Sequence, residues 1–284
     1  MKLYISVDME GIAGIFNFKQ EQTDRERIRS YVYNNVEWVI KGIQDSNLNT
    51  RIEKITVIAA HAYGNILTYD ISKLDDRIYL YNGLPQLMIP DITKGHNLMF
   101  LVGYHPGSGS INGGLSHTFS SHVHHVWLNG VEANETIFIG AIAAKHNIPI
   151  GLIVGDDILY QELKERTNLN NMKNIHYVIT KHSKGRHQAE HIPMNIVKQD
   201  VIDAVKKALR SNSFSENLVK IEPPYKLKLE FNIVEHAEVI SKLTDLKRID
   251  GYTIEKEYSD IEKLYKDCLA MILMIKGYNR SLTK

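Results

Sequence analysis

The chain has 284 residues, a formal net charge of +1, 24% charged residues and 43% hydrophobic ones. It is long enough to bury a sizeable core, as one large domain or one with a smaller companion, and its near-neutral balance excludes the electrostatic footprint of a nucleic-acid or anionic-membrane binder. A single cysteine, Cys268, excludes an intrachain disulfide framework; with no apolar run of membrane-spanning or signal-peptide type, the expected location is the cytoplasm.

The first element is a strand, Lys2 to Val7, which stops at Asp8-Met-Glu10-Gly11. Side chains at i and i+2 of an extended chain share a face, so both carboxylates point into one volume past the strand's end. Such a pair suits a hard or borderline cation; a turn-capping Asp8 with a solvated Glu10 accounts for the stretch equally well. Thr23-Asp-Arg-Glu26 reads as a capping box, and Ile28, Val32, Val36, Val39, Ile40 and Ile43 follow at helical spacing. A strand from Lys54 to Ala60 stops at His61, short strands are expected at Arg77 to Tyr81 and Gln86 to Ile89, and the apolar run Asn97 to Tyr104 stops at His105.

The Gly/Ser-rich loop Pro106 to Gly114 lacks the Lys-Ser/Thr ending of a phosphate-binding loop and reads as an active-site rim leading to His117. A strand pair follows around His124 to Asn129, turning at Asn129-Gly130. Asn134-Glu135 opens a helix, Pro149 to Val154 is another buried strand, and Asp157 is the expected cap of the helix after it. The last third holds a strand at Ile175 to Thr180, a basic segment Lys181 to Arg186, a helix from near Pro193 to Leu209 and a polar linker Ser211 to Glu216. Beyond it come an alternating strand at Leu227, Leu229 and Phe231, a helix near Ala237 and a strand near Tyr252 and Ile254. A final helix follows, boxed by Ser259 and Glu262 and ended by Gly277.

Apolar strands separated by helices predict a three-layer α/β/α domain over residues 1–190, built on a mainly parallel mixed sheet, with a smaller C-terminal α+β subdomain over 191–284. Ligands of such sheets bind at the carboxyl ends of the strands. Here those ends read Asp8 and Glu10, His61, His105 and Asp156-Asp157, and Glu135 can join them from its helix start. A lone strand-ending histidine is more often an ordinary polar residue than a ligand, but the whole set on one edge is a mixed nitrogen and oxygen donor set for zinc, manganese or cobalt. Five donors exceed what one catalytic zinc uses and favour two ions sharing a bridging carboxylate and a hydroxide. His117 reads as a residue that approaches substrate, only one or two of His122, His124 and His125 can face a site, and His146, His176, His191 and His236 read as surface residues. Lys181 and Arg186 meet a substrate carboxylate or form a solvated basic face.

Taken in order, Ser6-Val-Asp-Met-Glu-Gly11, Gly-Tyr-His105, Ser-His117, Asn129 with Glu135, and Val154-Gly-Asp-Asp157 resemble the M55 metallopeptidases, over residues 1 to about 190. The resemblance implies that Asp8 bridges two zinc ions, that Glu10, His61, His105 and Glu135 complete the ligands, and that His117 is catalytic. It also implies removal of N-terminal D-amino acids from short peptides, and ring-shaped homo-oligomers, pentamers or decamers. Two departures stand out. Ile58-Ala-Ala60 replaces the Asn-Asp-Ser of the family's type member before His61, removing an acidic partner expected to orient that histidine, and the loop between His105 and His117 is one residue longer. The readings that compete with a zinc aminopeptidase are a peptide- or metabolite-binding protein without catalysis and a dinuclear metal phosphoesterase.

Overall fold

The structure is a computed structural model describing residues 1–83, 88–92, 95–165, 175–210, 216–242 and 245–282; the expected linker Ser211 to Glu216 falls mostly outside them, and of the expected strand Gln86 to Ile89 the described half, Met88 and Ile89, is bend rather than strand. The chain runs through β1 (Lys2–Val7), α1 (Gln20–Thr23), α2 (Arg25–Gln44), β2 (Lys54–Ala59), β3 (Ile78–Tyr81), β4 (Leu98–Tyr104), β5 (Val123–Leu128), β6 (Val131–Glu132), α3 (Glu135–Lys145) and β7 (Ile150–Gly155). It continues through α4 (Asp157–Glu165), β8 (His176–Ile179), β9 (Lys181–Gly185), β10 (Gln188–His191), α5 (Met194–Arg210), β11 (Tyr225–Phe231), α6 (Val234–Ile240), β12 (Lys247–Arg248), β13 (Thr253–Tyr258) and α7 (Ile261–Leu282).

Six strands form a sheet in the order β3-β2-β1-β4-β7-β8, every pair parallel. An antiparallel sheet runs β12-β13-β11-β5-β6, and β9-β10 is a separate hairpin. The alternation of β1 sorts its side chains onto two cores. Leu3, Ile5 and Val7 pack with Val32, Val36 and Val39 of α2 and Val201 and Val205 of α5. Tyr4 faces the opposite core, with Met99 and Leu101 of β4, Ile137 and Phe138 of α3, Leu227 and Leu229 of β11, and Leu264 and Cys268 of α7. The antiparallel sheet takes β5 and β6 from before residue 190 and its other strands from after it, while α5, from after it, packs on the parallel sheet's side. Among the described residues no helix is long and apolar enough to cross a membrane.

Asn129 (φ 51°) and Gly130 (φ 80°) make the expected β5–β6 turn, both in the left-handed region a type I′ hairpin needs. Several helix ends differ from the sequence reading. Thr23 ends the short α1, its hydroxyl bonded to Lys19 O, so the box at Thr23 to Glu26 does not form and Asp24 occupies the cap of α2 without a side-chain bond. Asp156, not Asp157, caps α4 by accepting from Leu159 N (2.9 Å), because Asp157 is the first helical residue and turns to Ser183 N (2.9 Å) and His182. Asp260 rather than Ser259 caps α7, accepting from Glu262 N and Lys263 N. That helix continues through Gly277, held by Asn279 against His236.

The parallel sheet reverses direction of growth at β1, with β2 on one side and β4 on the other, which makes its carboxyl edge the expected ligand crevice. The strands stop in register: Val7 lies opposite Ala59 and Val102. Beyond them the backbone stays in contact, with Asp8 N donating to Val102 O (2.8 Å) and Gly11 N to Gly103 O (2.7 Å). A side chain has no room there: a Cβ on Gly11 would sit 1.9 Å from Tyr104 O, and one on Gly103 2.2 Å from Asp8 O. At the sheet's edge Arg77 ties β3 to the approach to β2, donating to Asp75, to Asn49 O (2.7 Å) and to Ile52 O (3.2 Å).

Gly11→Ala is expected to destabilise the protein by about 3 kcal/mol or more, since both parties to the clash are backbone; chemical denaturation checks it. The Arg77 guanidinium beside Asp75 holds that carboxyl at about 2, below its usual 3.8. A depressed folded-state value stabilises above the unfolded value and is lost as pH falls through the folded one. Asp75→Asn should therefore cost up to about 2 kcal/mol at neutral pH, with the difference from wild type shrinking between about pH 4 and pH 2.

Candidate metal centre

The strand ends bring Asp8, Glu10, His61, His105 and Glu135 into one buried cluster; none is more than 8% exposed. Asp8 divides its oxygens. Oδ1 is 3.1 Å from His61 Nδ1, and Oδ2 is 3.7 Å from His105 Nε2. Glu10 Oε2 also lies 3.1 Å from His61 Nδ1, and Glu135 Oε1 lies 3.6 Å from His105 Nε2. Two donor triads result, Asp8-Glu10-His61 and Asp8-His105-Glu135, with Asp8 common to both; His117 forms a third grouping with Glu10 and His105.

These donors fit a cation better than they fit one another. Glu10 Oε1 and His105 Nε2 are buried without a hydrogen-bond partner. Separations of 3.6–3.7 Å around His105 Nε2 are too long for hydrogen bonds. They approach the roughly 3.3 Å between ligand atoms that each sit about 2.0–2.1 Å from a tetrahedral zinc. The tautomer of His105 agrees. Its Nδ1 faces Pro106 O at 2.9 Å and so holds the proton of the neutral ring, which turns Nε2 toward the carboxylates as the atom free to take a cation.

Charge in the cluster is balanced only by moving protons. Burial raises Glu10, and the Asp8 charge raises it further; burial likewise pushes Glu135 up to about 7. Burial also acts on Asp8, but its bond to His61 and the charges of both imidazoles outweigh that and hold it well below the carboxylate range. Burial opposes charge on the imidazoles, yet Glu10 and Asp8 raise His61 well above its ordinary value, and Glu135, Glu10 and Asp8 bring His105 to about 8.

His117 differs. Burial and the neighbouring His105, stacked at 4.2 Å between ring centroids, push it well below its ordinary value, so it is neutral. Its Nδ1 donates to Leu115 O (2.9 Å), which leaves Nε2 a bare acceptor, 3.8 Å from Glu135 Oε1 and 4.0 Å from Glu10 Oε1. Ala62 (φ 46°), Leu115 (φ 52°) and Phe119 (φ 59°) flank the cluster in left-handed backbone, which costs an L side chain roughly 1–2 kcal/mol each.

The supports come from far along the chain. Asn134 caps α3 through Ile137 N (3.1 Å), so Glu135 stands at a helix N-terminus, where a carboxylate is favoured, and accepts from Phe119 N (2.7 Å). Lys181 is neither a substrate contact nor a solvated charge. It is fully buried, its Nζ donating to Glu10 O (2.5 Å), Ile15 O (2.5 Å) and Ile12 O (3.3 Å). Burial lowers it to about 8. Thr180 adds a bond to Gly11 O. The loop carrying Glu10 is thus fastened from the β8–β9 corner, and Leu115 N, bonded to Arg186 O (2.8 Å), ties the His117 loop to the hairpin.

A cavity of about 460 Å³ opens onto the cluster, walled by Met88, Phe119, Leu269, Ile272 and Leu273, with Arg186 and Lys276 as cations. Of the remaining histidines, His122 lines this cavity, whereas His124 and His125 pair with Glu230 and Glu132. His236, expected at the surface, is buried beside Asn279. Sequence reasoning missed Glu21, whose Oε2 lies 3.4 Å from His61 Nε2, and the α7 wall; spacing of i, i+3, i+4 and i+7 at Leu269, Ile272, Leu273 and Lys276 was the available signal for the latter.

The M55 peptidase family, described as D-aminopeptidase, matches residues 1–270. The D-aminopeptidase of Bacillus subtilis (strain 168) is 26% identical over 170 residues, a stretch covering 58% of this chain and 60%, less than two thirds, of that relative's length. The solved structure of the Zn-dependent D-aminopeptidase DppA from Bacillus subtilis, described as a self-compartmentalizing protease, superposes with a TM-score of 0.85 at 22% identity, covering 96% of this chain and 97% of that one. That likeness establishes the fold. With the family match running from residue 1 to residue 270 of 284, the chain belongs to the M55 peptidase family.

Proposed function

We propose that this chain is a zinc-dependent aminopeptidase that releases the N-terminal residue of short peptides, D-residues among them, at a dinuclear centre ligated by Asp8, Glu10, His61, His105 and Glu135. The observation that carries this reading is Asp8, which offers one carboxylate oxygen to each of two donor triads. Manganese and cobalt suit the same donors. Zinc held there would supply a Lewis acid for the scissile carbonyl and a bridging hydroxide as nucleophile.

The chain's own residues account for proton traffic and placement. His117, neutral and with Nε2 bare, accepts at Nε2 the proton that the nucleophilic oxygen gives up and returns it to the departing amine nitrogen. Met88, Phe119, Leu269, Ile272 and Leu273 exclude water and receive apolar side chains. Arg186 and Lys276 offer cations to the carboxylate of a short peptide. The family's D-aminopeptidase description supports D-residues at the first position, and the self-compartmentalizing relative supports a ring of copies of this chain; pentamers or decamers are what the family resemblance implies.

Metal analysis of the purified protein is expected to find close to two transition-metal ions per chain, with Asp8→Ala losing most of both. Metal-free, unaltered wild-type protein would sink the proposal. His117→Ala should keep its metal while kcat on a D- and L-peptide panel falls by about 10²–10⁴. Full retained turnover removes His117 from the proton path, and turnover of phosphate esters in place of peptides would assign the centre to phosphoryl transfer.

A further inference from the structure

We infer that Glu21 is a positioning residue for His61 and that it serves one donor triad only, so that the two metal positions differ in affinity through it. This rests on the reading of the cluster as a dinuclear centre.

His61 turns Nδ1 toward Asp8 Oδ1 and Glu10 Oε2, both at 3.1 Å. A neutral imidazole that gives its Nδ1 lone pair to a cation keeps its proton on Nε2, and in a residue only 8% exposed that proton needs an acceptor. The strand before His61 ends in Ala59 and Ala60 and offers no carboxylate there. Glu21 Oε2, from α1, lies 3.4 Å from Nε2, a long contact but the acceptor on that side. Glu21 is itself held. Its Oε1 accepts from Arg25 Nη1 (2.8 Å), and Arg25 Nη2 donates to Asn65 Oδ1 (2.6 Å). The short α1 is fixed by Gln20, whose Oε1 accepts from Phe16 N (2.9 Å) and Asn17 N (3.0 Å) and whose Nε2 donates to Gly14 O (3.1 Å). A line of bonds therefore runs from the ring of His61 through a carboxylate and a guanidinium to the start of α2.

The other triad has no such line. His105 Nδ1 bonds to the carbonyl of Pro106, a neutral acceptor. A carboxylate behind a ligating imidazole both fixes the ring and raises its basicity, whereas a carbonyl mainly fixes it. Glu21 thus provides from a helix the acidic support that the residues before His61 lack, and it provides it to the Asp8-Glu10-His61 position alone.

The test is zinc titration of the metal-stripped full-length protein against a chromophoric chelator, for wild type, Glu21→Ala, Glu21→Gln and Asp8→Ala. Glu21→Ala should weaken one binding step by about 10–100-fold and leave the other within about twofold. Glu21→Gln, which keeps an acceptor but not the charge, should fall between wild type and alanine. The melting temperature of the metal-free Glu21 variants should stay within about 2 °C of wild type, since a half-buried i,i+4 pair with Arg25 contributes little. Unchanged steps in Glu21→Ala, or both steps weakened together with a lowered metal-free melting temperature, would overturn the inference. Asp8→Ala separates the two claims: it should weaken both steps, and if it binds zinc as wild type does, the dinuclear reading fails independently of Glu21.

Discussion

Three carboxylates share one buried volume, and that crowding is the constraint under which the rest of the site is built. Asp8, Glu10 and Glu135 are each at most 3% exposed, and isolated ions at such depth are very costly. In the metal-free chain the cost is limited by protons, with Glu10 and Glu135 raised and the two imidazoles made more basic. Divalent cations would meet the same need with full charges, and the orphaned Glu10 Oε1 and His105 Nε2 are the atoms that gain partners. Groups that repel one another stay together only when the backbone beneath them cannot move apart. The glycine contact between the turn after β1 and the end of β4, the buried Lys181 and the capped start of α3 each remove one way for the cluster to relax.

The parts of this arrangement that the sequence revealed are those encoded by local pattern. Strands β1, β2, β4 and β7 are predominantly apolar runs, each followed closely by a polar residue, and the crossover geometry of parallel sheets carries those residues to one edge. Asp8, Glu10, His61 and His105 were legible for that reason, and Glu135 because Asn134 announces its helix. Lys181 was not. In sequence it belongs to a basic run that reads as solvated, and its burial depends on carbonyls about 170 positions away meeting it in three dimensions. Glu21 sits in a four-residue helix too short to show periodicity. The caps expected at Thr23, Asp157 and Ser259 fail for local reasons: Thr23 spends its hydroxyl on Lys19 O of its own helix, Ser183 and His182 draw Asp157 away so that Asp156 caps, and Asp260, beside Ser259, accepts the first amides of α7.

The same buried geometry gives the two imidazoles at the β4 side opposite roles from one stack. His105 is drawn toward positive charge by Glu135, Glu10 and Asp8, and that charge at 4.2 Å helps keep the parallel ring of His117 neutral. Both rings donate Nδ1 to a backbone carbonyl, so both turn Nε2 inward. In its neutral form His105 aims an Nε2 lone pair at Asp8 and Glu135, and His117 Nε2 lies 3.8 Å from Glu135 Oε1 and 4.0 Å from Glu10 Oε1. On the proposed reading, ligand and base are distinguished by electrostatic context, not by residue type.

The α7 wall has a separate consequence. Leu269, Ile272, Leu273 and Lys276 line the cavity from a helix that contributes no member of the strand-end cluster. The donor cluster sits at the strand ends, where at Gly11 and Gly103 the backbone leaves no room for a side chain, and one wall of the cavity is a stripe of a late helix. Descendants of this chain can therefore drift in which substrates they accept by exchanging side chains along that stripe, while the reaction they perform is inherited unchanged.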